Sequence, residues 1–295
     1  MAKLKASVID CHAVVPDRFP RTLSAGAAVE ADSAWLKLPS LMTSGPCQFD
    51  DARLLERARQ LGLARARSAS AAAWLAMIAC ASAHHCFRGS VLGLTTSSTS
   101  ATESTAFVFE RDGNELGWKL ADPFWLPNSI PSCIATSVFA ALKLEGVALG
   151  FPGGVHGFFG ALDHALMLLA AKAIQRAVVV TAEHAAMFYE ELAERSGVRH
   201  SLPTGAVAIV LEPSRQLPGE CVLERDFSIS DTPDTKGART APSSRATYLN
   251  SFEADVPASA IFHHRAGLTS ARSSETDFVI RETGETFSLS IRWLE

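Results

Sequence analysis

Short runs of consecutive apolar residues alternate along this chain with stretches whose apolar positions recur at helical spacing. Residues 6–15 (ASVIDCHAVV) predict a first strand closed by Pro16, and residues 20–46 read as turn-rich. In residues 49–66, Asp50 or Asp51 can cap a helix whose stripe is Leu54, Leu55, Ala58, Leu61 and Leu63. An alanine-rich helix follows at 68–86, then a short apolar strand at 90–95 (SVLGLT). The polar run 95–105 predicts a loop into a helix at 106–110, and 113–127 reads as irregular and aromatic. Residues 128–169 give a polar Asn-Ser-x-Pro entry, a helix, an apolar strand at 148–151, a glycine-rich corner and a second helix. The β-branched runs AVVVTA (177–182) and AVAIVL (206–211) predict fully buried strands, with a helix at 187–195 between them.

Strands alternating with helices predict a layered α/β/α core over residues 1–213. From 214 to 295 the texture changes. A polar loop at about 228–251 precedes two strands that turn at Glu282-Thr283-Gly284-Glu285, a β-hairpin-like unit closing a short C-terminal extension.

Composition narrows the function classes. In 295 residues, 47% hydrophobic and 20% charged with a net charge of −4, a substantial core is available and no basic surface marks a nucleic-acid partner. No apolar stretch reaches the roughly 18 residues of a membrane span, and the first residues make a poor signal peptide, so no membrane and a cytoplasmic location are expected. The six cysteines stand without a CxxC spacing, which predicts reduced thiols. Cys80, His84, His85 and Cys86 do not make a metal site by spacing, because only Cys80 and His84 share a helix face. No metal or cofactor is expected. Arg57, Arg59, Arg65 and Arg67 form a basic cluster, read as a solvated helix face or as a docking patch for an acidic carrier protein.

The corner Gly153-Gly154-Val155-His156-Gly157 carries the chemistry, or its absence. A strand turning sharply into a helix presents backbone N–H groups and the positive end of a helix dipole, a place where acyl-transfer enzymes hold a nucleophile. Valine has no lone pair and forms no thioester. His156 is the adjacent candidate base or hydrogen-bond donor, set against a plain polar position at a pocket wall or interface. Cys133 reads as a buried structural thiol, His164 as a packed histidine, and Glu183 and His184 as a strand end. Phe158, Phe159, Leu162, Leu166 and Leu169 line either an acyl tunnel or an ordinary buried helix face.

Asn128-Ser129-Ile130-Pro131, Leu142-Lys143-Leu144-Glu145-Gly146 and the run 150–162 resemble, at matching separations, the N-terminal half of β-ketoacyl synthases of the thiolase-like fold. SVLGLTTSS, RAVVVTAE and TGAVAIVLE resemble the flanking strands, so the likeness covers roughly 90–212. It implies a thiolase-like layered α/β/α architecture, essentially one ketosynthase half. The family's acyl-accepting cysteine falls nine residues after the glycine matched by Gly146, at Val155; chain-length-factor relatives usually carry glutamine there. The catalytic histidine segments of the family's second half are also missing: His263-His264 continues as Arg265-Ala266-Gly267, and Asn250-Ser251-Phe252 as Glu253.

The resemblance implies a non-catalytic, chain-length-factor-like partner for a full-length β-ketoacyl synthase in fatty-acid or polyketide (polyene) biosynthesis. Such a pseudo-enzyme shapes the synthase's acyl tunnel and works with an acyl carrier protein. Ala148, Leu149 and Phe151 on the corner strand would pair across the dimer, and Gly153, Gly154, Val155, Gly157, Phe158, Phe159 and Leu162 would line the pocket or interface. A homodimer is the alternative assembly. The alternative activity is an acyl-carrier thioester hydrolase or malonyl decarboxylase using backbone oxyanion donors and His156.

Overall fold

In the computed structural model, the described residues are 3–16, 20–24, 43–44, 51–63, 69–98, 101–123, 125–184, 203–226, 247–248, 258–259, 261–262, 276–282 and 285–294. The strands are β1 (Leu4–Pro16), β2 (Pro20–Ser24), β3 (Thr43–Ser44), β4 (Leu92–Ser98), β5 (Gly146–Pro152), β6 (Arg176–Glu183), β7 (Pro203–Pro213), β8 (Cys221–Asp226), β9 (Thr247–Tyr248), β10 (Thr276–Glu282) and β11 (Glu285–Trp293). The helices are α1 (Asp51–Gln60), α2 (Ala71–Ala83), α3 (Ala101–Leu116), α4 (Trp125–Asn128), α5 (Cys133–Leu142) and α6 (Gly154–Ala170).

The strands join one mixed sheet in the order β5-β4-β6-β7-β1-β8-β11-β10-β9, with β2 on β1 and β3 on β7. β5, β4 and β6 run parallel, as the helical crossovers between them require. β7 is antiparallel to both of its neighbours β6 and β1. Two apolar clusters lie on opposite faces. One holds α6 with Val8, Val179, Ile209 and Leu223; the other holds α2 and α5 with Leu94, Val178, Val180 and Val210. The alternation Val178/Val179/Val180 between the clusters shows why this strand reads as a continuous apolar run: both faces are covered.

The helix α2 is apolar on nearly every side because residues 72–80 and Ala83 are all buried. Ser70 caps it by accepting a hydrogen bond from the Ala73 N–H. The predicted boundaries hold closely for β1, β6 and β7. The helix expected at 49–66 ends at Gln60, β2 and β3 fall within the stretch read as turn-rich, and two further elements differ. The run Thr95–Ser98 is strand, fully buried between β5 and β6, and not the expected loop; the pairing of its neighbours overrides its polarity, and threonine suits a strand. The helix α3 runs from Ala101 to Leu116, longer at both ends than expected and taking in part of the stretch read as irregular.

β8 had no sequence forecast. It pairs with β1, and β11 pairs with β8, so the chain beyond residue 213 continues the same sheet. The hairpin forms as expected, with Glu282 opposite Glu285. The expected helix at 187–195 and nearly all of the polar loop at 228–251 lie outside the described residues. Among the described residues, no helix is long and apolar enough to cross a membrane.

Candidate functional site

The corner exists as geometry. β5 ends at Pro152, Gly153 and Gly154 take left-handed backbone at φ 102° and 62°, and α6 starts at Gly154. Side chains at those two positions would carry backbone strain, which is why the turn is built from glycine. Gly157 answers a different need: a Cβ there would collide with the Phe151 and Pro152 carbonyl oxygens, so its absence lets the first turn of α6 sit against the end of β5.

The N-cap residue of α6, Gly153, has no side chain to cap it. The Gly157 N–H donates to the Gly153 carbonyl at 3.3 Å, the first bond of the helix, so of the backbone donors expected over 154–157 this one is engaged within α6. Val155 is fully buried, in one apolar cluster with Phe158, Phe159, Leu162, Leu166 and Leu169. Its neighbour His156 is exposed. The two side chains therefore leave the helix in different directions, one into the core and one outward. His164, further along α6, is half-buried with its ring 5.9 Å from that of Phe151.

Ala148, Leu149 and Phe151 lie on β5, the edge of the sheet, whose outer side pairs with nothing among the described residues. Ala148 packs toward the α2–α5 face and Phe151 toward the α6 face. Large apolar side chains stand exposed on and before this strand: Val147, Ile130, Leu126, Leu120, Trp118 and Leu116.

The structure adds residues that the sequence reading passed over. Thr95 and Ser97 on β4 and Thr181 on β6 bury their hydroxyls without a partner among the described residues, with Ser97 opposite Thr181. Alternation places all three on the α6 face of the sheet, since Leu94, Val178 and Val180 occupy the other. At the same end, the Ser98 hydroxyl donates to Glu183 Oε2 at 3.2 Å, with the Glu183 side chain fully buried. The TTSS run was the available signal.

Other candidates settle into structural roles. Cys133 donates to the Asn128 carbonyl, and burial pushes its thiol up to about 11, so it is no thiolate at neutral pH. Arg57 donates to Gln60 and Arg59 lies 3.6 Å from Glu56, a laced solvent face; Arg65 and Arg67 lie outside the described residues. The segments around His263 and Asn250 do so too.

No protein-family model and no curated protein matches the chain. Solved structures do. The chain is similar to the ishigamide ketosynthase/chain length factor (15% identity, TM-score 0.61, 99% of this chain and 100% of that one). It is similar to a ketosynthase (ApeO) in complex with its chain length factor (ApeC) from Xenorhabdus doucetiae (18%, TM-score 0.59, 97% and 99%). It also resembles a type II PKS acyl-carrier protein complex with its ketosynthase, AntDE:AntF (11%, TM-score 0.65, 98% and 99%). The likeness thus extends well past residues 90–212, over nearly the whole of each chain. This chain has the thiolase-like fold, on the plan seen in ketosynthases and chain length factors.

Proposed function

We propose that this protein is a non-catalytic, chain-length-factor-like subunit. It pairs with a full-length β-ketoacyl synthase in polyketide or fatty-acid biosynthesis and shapes the synthase's acyl tunnel, with an acyl carrier protein as the third component. The observation that carries the reading is Val155: a fully buried aliphatic side chain in the first turn of the corner helix, where acyl transfer needs a nucleophile. An enzyme would gain nothing by packing that position into its core.

The partner half of the proposal rests on the edge of the sheet. β5 offers an unpaired row of backbone groups among the described residues, beside exposed Val147 and Ile130. Such an edge invites strand addition unless it is covered. Two structures of similar fold are complexes of a ketosynthase with another protein, a chain length factor in one and an acyl-carrier protein in the other. The outward direction of His156, away from the buried Val155, favours this reading over thioester hydrolysis.

The test is co-expression with the full-length ketosynthase of the same genome. Co-purification as a one-to-one complex, with product length altered when this chain is omitted, supports the proposal. Failure to associate, with unchanged products, refutes it.

A further inference from the structure

Away from the corner, β1 and the end of α2 bring together four side chains of metal-binding type. The shift in register of β1 against β7 falls between Val8 and Asp10. Ala6 and Val8 face the α6 cluster, and beyond the bulge Cys11 and Ala13 do, so Asp10 and His12 are turned onto the α2 face. Without the extra residue they would have faced α6. Bulges of this kind re-aim side chains beside functional sites.

On the α2 face they meet the 3-10 turn His84–Cys86 that follows α2. Asp10 Oδ1 is occupied by the Cys11 N–H at 2.8 Å, which leaves Oδ2 as the point of convergence. Cys86 Sγ lies 3.1 Å from Oδ2, His85 Nε2 lies 3.7 Å from it, and His85 Nε2 lies 3.2 Å from Cys86 Sγ. His12 Nε2 stands behind, 2.7 Å from the same oxygen, with the ring buried and its Nδ1 unpartnered among the described residues.

These distances describe a triangle and not a relay. A Cys–His–Asp catalytic chain needs the two imidazole nitrogens to face different partners. Here a single nitrogen of His85 faces both the thiol and the carboxylate. Three unlike donor atoms, oxygen, nitrogen and sulfur, point at one small volume. Bond lengths of about 2.0–2.3 Å around a tetrahedral zinc place its ligand atoms roughly 3.3–3.6 Å apart, and the observed edges bracket that spacing.

We propose that Asp10 Oδ2, His85 Nε2 and Cys86 Sγ form a zinc site, with His12 as the positioning residue that orients the Asp10 carboxylate. The mixed donor set suits a borderline-soft divalent ion better than calcium or magnesium, which take oxygen. Three protein ligands leave a fourth position, on the side of the exposed His85, for water or an incoming group. Binding releases the Cys86 thiol proton to solvent. The site is independent of the proposed synthase partnership.

The full-length chain, stripped with a chelator, is titrated with Co²⁺ and then with Zn²⁺. One equivalent of cobalt should give thiolate-to-metal charge-transfer absorption, displaced by one equivalent of zinc. Cys86→Ser should abolish that absorption. His85→Ala, at an exposed position where folding is not at risk, should weaken zinc binding at least about 10-fold. His12→Ala should weaken it about 10–100-fold, while the neighbouring His84→Ala leaves it unchanged. Absence of stoichiometric binding by the unmodified chain, leaving a hydrogen-bonded cluster only, overturns the proposal. Binding that survives both Cys86→Ser and His85→Ala overturns it too.

Discussion

Asp163 on α6 grips the fully buried guanidinium of Arg225 on β8 through two hydrogen bonds, Nε to Oδ1 at 2.6 Å and Nη2 to Oδ2 at 3.1 Å. The same guanidinium lies over the Phe159 ring, 4.9 Å from its centroid. This pair ties the corner helix to the strand that opens the C-terminal part of the sheet. Removing the carboxylate takes this two-pronged partner from a fully buried cation. Asp163→Ala should therefore cost about 3–5 kcal/mol in chemical denaturation. A change under about 1 kcal/mol would mean that β8 holds to α6 without it.

A second ionic cluster predicts acid sensitivity. Glu224 on β8 meets Lys3 at 2.8 Å, Lys5 at 3.1 Å and Arg292 at 3.0 Å. Burial pushes its carboxyl up, but the hydrogen bonds and charges of Lys3 and Lys5 prevail and hold it below the usual 4.5. A lowered folded value means that the stabilisation is complete above about pH 4.5 and fades as the pH falls through the folded value. Glu224→Gln should lower stability at pH 7 by about 1–2 kcal/mol, less than a buried pair because Lys3 is exposed, and should flatten the loss on acidification. Unfolding curves from pH 7 to pH 3 for both proteins check this.

Position 155 tests the buried corner directly. Val155→Cys changes little volume, so it should cost less than about 1.5 kcal/mol. Its thiol should stay hidden: one extra group reactive toward a thiol reagent after denaturation, none before it. A native-state thiol that forms an acyl thioester would show that the corner is open and only its nucleophile was lost.

The sheet edge gives a separable prediction. Val147 is 38% exposed on β5, so Val147→Lys should leave the fold within about 0.5 kcal/mol of the parent while abolishing association with the synthase. Sedimentation of the mixture, compared with thermal melts of the single chain, distinguishes the two effects.

What the sequence made legible follows from where the determinants lie. The strands β6 and β7 were readable because both their faces are apolar, and the corner because Gly153 and Gly154 announce a left-handed turn. Val155 was placed correctly at the turn, but its full burial depends on Phe158, Phe159 and the sheet beneath. Thr95–Ser98 misled because a polar run in a central strand is made tolerable only by its neighbours. Asp10 and Cys86 are far apart in the chain, and a bulge of one residue decides that they meet. No local periodicity reports such an event. The expectation against a metal considered Cys80, His84, His85 and Cys86 by their spacing on one helix, and such spacing does not bring in Asp10 from β1.

The central claim is that this chain serves a synthase and does no acyl chemistry of its own. Its most direct measurement is product analysis of the synthase with acyl carrier protein, reconstituted with and without this subunit. The account predicts a one-to-one complex, a changed product chain length, and no turnover of malonyl- or acyl-carrier protein by this chain alone. Turnover by the isolated chain that His156→Ala abolishes, together with no effect on the synthase, would contradict it.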